Sequence, residues 1–227
     1  MNHGRIRRPL GCLVLVPMAA VGCSGGTPER PAPAPTVARV SADQVCAGLF
    51  TGDGGKGLER VLESTEFRLR NQKWNPDARA VAQVMEDAYR SGNRIREMPQ
   101  AVCEVSGSEK ELHVPTVTLQ FTAFSLYAGD PADFPSGSDR GVRVASSPGK
   151  FMHLSYDCVS SRFGSTPEVP LRIKILLHEE WEESKGGDVL RADYMAINHS
   201  AGLAVAKELR CADDGGLPAR AADLPTG

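Results

Sequence analysis

Three stretches of this chain alternate apolar and polar residues with a period of two, and that pattern fixes the class of fold. Val117, Leu119, Phe121 and Ala123 fall on one side of segment 114–127, with Thr116, Thr118, Gln120 and Thr122 on the other. Met152, Leu154, Tyr156 and Cys158 repeat the pattern in 151–159, and Leu171, Ile173, Ile175 and Leu177 give a third row. Strands with one apolar face build an antiparallel sheet covered on one side, whereas buried parallel strands read as continuous apolar runs. Ala101 to Val105 adds a short β-prone segment, and Thr65 to Arg70, with Phe67 and Leu69 on one side, adds another. The stretch from Asp130 to Gly149 is punctuated by proline and glycine and reads as loop.

Helical signals flank the strands. Ser41-Ala42-Asp43-Gln44 has the form of a capping box, opening a short helix that carries Val45, Cys46, Leu49 and Phe50. Gly52-Asp53-Gly54-Gly55 is expected to break it, with another turn or two at Leu58, Val61 and Leu62. Asn75-Pro76-Asp77 places an N-cap and a first-turn proline ahead of Val81, Val84, Met85 and Ala88, which follow helical spacing. That helix ends near Ser91-Gly92, or runs on through Ile95 and Met98 to Pro99. A last helix over 193–209 presents Tyr194, Ile197, Ala201, Val205 and Leu209. Helices, then strands, then a helix predict an α+β domain, its antiparallel sheet covered on one face by helices.

The 227 residues suit one such domain with appendages. A formal net charge of -2 argues against a dedicated nucleic-acid binder. No run of about 18 apolar residues exists, so no segment has the length of a spanning helix. The first residues carry a different signal. Arg5, Arg7 and Arg8 precede a largely apolar stretch from Leu10 to Ala20, with no acid before Glu29, and the stretch closes on Ala20-Val21-Gly22-Cys23. Small residues followed by cysteine resemble the lipobox of bacterial lipoproteins, although Leu is usual where Ala20 stands. The resemblance implies cleavage after Gly22, a diacylglycerol on the Cys23 thiol, and anchoring on the outer face of the cell membrane. Two acyl chains convert a soluble chain into a durably anchored one, at about 0.8 kcal/mol per buried CH₂.

Removing residues 1–22 takes away three arginines and no acid, leaving 23 basic side chains against 28 acidic, a net of -5. Such a body is not drawn to an anionic membrane by charge. From Cys23 to residue 40, Ser24-Gly25-Gly26 and the alternating Pro31, Pro33 and Pro35 read as a tether, flexible and then extended. The domain is expected over 41–211, followed by a loose tail over 212–227.

Cys12 falls within the leader, so Cys46, Cys103, Cys158 and Cys211 remain for the domain. No two are spaced as zinc ligands, and an exported domain favours two disulfides. Three pairings are possible and the sequence alone does not choose; the working choice is Cys46–Cys103 with Cys158–Cys211. Each would close a long loop, worth about 4 kcal/mol in the chain-entropy model. Cysteines in a first helix and a strand, with Tyr156-Asp157-Cys158 ending a strand and Leu209-Arg210-Cys211 ending the last helix, are similar to small actinobacterial lipoproteins of unknown function. That likeness implies no activity.

Chemical motifs are sparse. His178-Glu179-Glu180-Trp181-Glu182 starts like a zinc-protease helix but has Glu182 where the second His is required. Ser147-Pro148-Gly149-Lys150 has the S-x-x-K spacing, but its Pro-Gly makes a turn where that chemistry needs a helix, and no Lys-Thr-Gly follows. Gly52 to Gly57 has the look of a phosphate loop without the preceding strand or the Ser/Thr after its Lys56. No metal or cofactor is implied. The outward sheet face would carry His153, Ser155, Asp157, Arg172, Lys174 and His178. If the strands are neighbours, His153 and Asp157 would lie near Arg172 and Lys174, as a solvated face or as a surface for a protein, an envelope polymer or a small ligand. His113 and His199 read as surface or capping residues. The expectation is a non-enzymatic binding or accessory domain held at the membrane by its lipid. A cell-envelope hydrolase using His153, Asp157 and a serine, or a structural subunit of a membrane complex, are the alternatives.

Overall fold

A computed structural model describes residues 39–69, 77–91, 100–107, 116–125, 141–147, 151–179 and 187–225, all within the unit spanning Val37–Gly227. The leader, Cys23, the tether, Asn75-Pro76, Ile95, Met98 and His113 lie outside the described residues. Six strands form one sheet: β1 (Arg68–Leu69), β2 (Gln100–Ser106), β3 (Thr116–Ser125), β4 (Arg143–Ser147), β5 (Phe151–Cys158) and β6 (Leu171–Glu179). Their order is β1-β2-β3-β6-β5-β4 and every pairing is antiparallel. β6 therefore slots between β3 and β5, so the three alternating rows of the sequence become the three central strands. Their inward residues are buried as the alternation requires, with Leu119, Leu154, Tyr156, Leu171, Ile173 and Ile175 at 1% exposure or less. Each large side chain fully withdrawn from water contributes about 1.5–3 kcal/mol. β4 arises within the stretch expected to be loop; it pairs with β5, its Val144 opposite Leu154.

The helices α1 (Asp53–Val61), α2 (Ala78–Arg90) and α3 (Gly187–Leu209) lie on the inward side. α3 starts six residues earlier than its apolar pattern indicates. It is buried nearly all round: Ile197, Ala201, Val205, Ala206 and Leu209 are fully covered, and so is polar Asn198. A helix apolar on every side belongs inside a domain. One side meets the sheet, where Asn198 Nδ2 donates to the Met152 carbonyl (3.1 Å) and the buried Tyr156 hydroxyl donates to the Gly202 carbonyl (3.1 Å). Burial holds the Tyr156 phenol far above its usual range, so it stays protonated as a donor.

α1 corrects the sequence reading. Gly54, Gly55 and Gly57 do not break a helix; they lie inside one. The reason is the closeness of α3. A Cβ on Gly54 would overlap the Ser200 side chain, and one on Gly57 would stand 2.8 Å from the Asp193 carbonyl oxygen. Glycine costs a helix about 1 kcal/mol relative to alanine, and here close packing offsets that cost. Arg60, one turn on, donates through Nε and Nη2 to Asp193 Oδ1 at 2.8 and 2.5 Å. The predicted first helix is also altered. Val45, Cys46, Leu49 and Phe50 are buried as expected, but Val45–Gly48 is a 3-10 turn in which Cys46 and Ala47 adopt left-handed φ of 47° and 53°. The capping box does not form, because the Ser41 hydroxyl donates to Asp43 Oδ1 (2.5 Å).

α2 is capped by Asp77, whose Oδ1 accepts from the Ala80 amide at 2.8 Å, two residues later than the Asn-Pro signal implied. Its face is rotated as well. Val84 is 45% exposed while Glu86 is 3% exposed. Glu86 is held by Arg90 (2.7 Å) and Arg162 (2.5 Å), and Arg162 Nη1 also donates to the Glu208 carbonyl (2.7 Å) near the end of α3. A buried carboxylate is tolerable only when paired, and two guanidiniums make it the fastening between α2 and the 159–165 loop.

The expected loose tail is packed. Leu217 and Leu224 are buried, and Asp213 to Gly216 make a left-handed turn that lays Gly215 on the Tyr156 ring, where a Cβ would stand 2.5 Å away. Both disulfides follow the working choice: Cys46–Cys103 joins the turn before α1 to β2 (Cα–Cα 5.9 Å), and Cys158–Cys211 joins the end of β5 to the residue after Arg210 (4.9 Å).

The glycine packing yields a counterintuitive prediction. In an isolated helix Gly57→Ala would stabilise by about 1 kcal/mol; here it should destabilise by about 1–3 kcal/mol, as overpacked cores do. Denaturant midpoints of the two proteins decide the sign.

Candidate functional site

The outward face of the sheet is set by the register. β5 and β6 are neighbours, and their pairing puts Asp157 opposite Arg172, Ser155 opposite Lys174, His153 opposite Leu176 and Phe151 opposite His178. On the other side of β6, Thr118 faces His178, Gln120 faces Leu176 and Thr122 faces Lys174. On the other side of β5, Arg143 faces Ser155 and Ala145 faces His153. His153, Asp157, Arg172 and Lys174 thus share one face as the alternation suggested.

They do not act as one cluster. Arg172 and Asp157 satisfy one another: Nε donates to Oδ1 at 2.8 Å and Nη2 to Oδ2 at 3.0 Å. The Gly141 amide donates to Oδ2 at 2.9 Å. The side chains are only 14% and 16% exposed, so this forked pair is screened little by water and fixes the approach of the chain to β4. Asp157 lies four positions from His153 along an extended strand, a span of about 13 Å. Asp157 therefore cannot orient the His153 ring, and the His–Asp relay of a hydrolase is not assembled on β5. His153 packs instead edge-on against Phe151, ring centroids 4.8 Å apart.

This face is also less open than alternation alone implies. Thr116 (1%) and Thr122 (5%) are buried, and Thr118, Gln120, Ser155, Lys174, Leu176 and His178 are half-buried. His178 and Glu179 belong to β6, so the segment with a zinc-protease look begins as strand; 180–182 lie outside the described residues. Glu179 ends the strand by accepting a hydrogen bond from the Tyr194 hydroxyl of α3. Burial, and then that carboxylate, keep the Tyr194 phenol well above its usual range. Among the described residues no three His, Cys, Asp or Glu side chains gather as metal ligands, and no helix is long and apolar enough to cross a membrane.

Comparison of the chain with protein-family models, with curated proteins and with solved structures found no match. The site is therefore read from its own geometry.

Several positions were not singled out by the sequence. His199, read as surface or capping, is 5% exposed on α3, its Nε2 2.7 Å from the Pro218 carbonyl oxygen. Ser200 is a junction: its hydroxyl donates to the Leu49 carbonyl and accepts from the Thr51 amide, both at 3.0 Å. Glu86 could have been flagged from its i, i+4 spacing to Arg90. Gly141 and Arg162 carried no such signal, since their partners lie far along the chain.

The Arg172–Asp157 fork gives a direct test. Arg172→Ala takes the forked donor from the carboxylate and should cost about 2–3 kcal/mol, the scale of hydrogen bonds to charged groups. Arg172→Lys should recover only part of that loss, because an ammonium cannot reproduce the planar fork. Chemical denaturation of both variants measures the difference.

Proposed function

We propose that this chain is a lipid-anchored, extracytoplasmic binding or accessory domain. The observation that carries the reading is the leader ending in Ala20-Val21-Gly22-Cys23, followed by a Gly- and Pro-rich tether. Two acyl chains on Cys23 would hold the protein at the outer face of the cell membrane, and the tether would set the domain off from the surface. Two disulfides fit that address, since thiols are oxidised outside the cytoplasm. A fold closed by covalent staples also suits a compartment without reducing maintenance.

A binding role is favoured over envelope hydrolysis by the positions of the side chains. The Asp157 carboxylate is committed to Arg172 and Gly141, and the intervening strand length separates it from His153. What the domain offers is a rigid surface, with polar side chains presented from central strands, and rigid elements suit recognition. The ligand classes this admits are a protein, an envelope polymer or a small molecule; nucleic acid is disfavoured by the -5 charge of the chain after cleavage.

Cys23→Ser removes the acyl acceptor while leaving the domain sequence intact. The variant should leave the membrane fraction and appear in the soluble extracytoplasmic fraction, whereas the unsubstituted protein partitions into detergent. Unchanged membrane retention of the serine variant would refute anchoring through this residue.

A further inference from the structure

We draw no further inference here: the strongest candidate, the outer edge of β4 (Arg143–Ser147) at one rim of the sheet, offers main-chain hydrogen bonds to any extended segment, and nothing in the structure shows what covers it.

Discussion

The burial of α3 on nearly every side is the constraint on which the rest of the structure depends. The sheet takes one flank, through Asn198 on Met152 and Tyr156 on Gly202. α1 takes a second at a distance only glycine allows. α2 and the 159–165 loop are fastened near its C-terminal end by Glu86 and Arg162. The end of the chain takes a third, plugged by Leu217 and Leu224 and tied by Pro218 to His199. A helix so enclosed cannot shift without disturbing all of these contacts, because well-packed interiors tolerate little change of volume or position.

The two disulfides act at the margins of this arrangement. Cys46–Cys103 secures the left-handed turn ahead of α1 to β2, and Cys158–Cys211 secures the exit of α3 to the end of β5. Both lie beside segments with positive φ at ordinary residues: Cys46 and Ala47 in one case, Arg210, Asp213 and Asp214 in the other. Such conformations cost of order 1–3 kcal/mol each and persist where the surroundings over-determine them. Covalent closure of loops of 57 and 53 residues supplies about 4 kcal/mol apiece in the chain-entropy model. The strained turns in exchange place Gly48 and the 219–221 segment along α3.

Much of the sheet was legible in the sequence because alternation is a local property. A residue's face follows from its parity, and Leu119, Leu154 and Ile175 are buried where parity puts them. What was not legible depended on partners distant in sequence. Gly54 reads as a breaker when viewed alone; only its closeness to Ser200 explains it. Val84 and Glu86 exchanged their expected places because Arg162, 76 positions on from Glu86, pairs with the carboxylate. The polar, glycine-containing end of the chain reads as loose until Tyr156 is seen beneath Gly215. For the outward face, the sequence grouped His153, Asp157, Arg172 and Lys174 correctly onto one side, but only the register reveals that Asp157 and Arg172 satisfy each other.

Fold and proposed role meet in the oxidised state of the domain, since an exported protein keeps its staples and a cytoplasmic one would not. The most direct measurement is peptide mapping without reduction on protein recovered from native membranes. Peptides linking Cys46 to Cys103 and Cys158 to Cys211 are the expected result. Free thiols at these four positions, or crossed pairings between the two sets, would contradict both the packing around α3 and the proposed extracytoplasmic address.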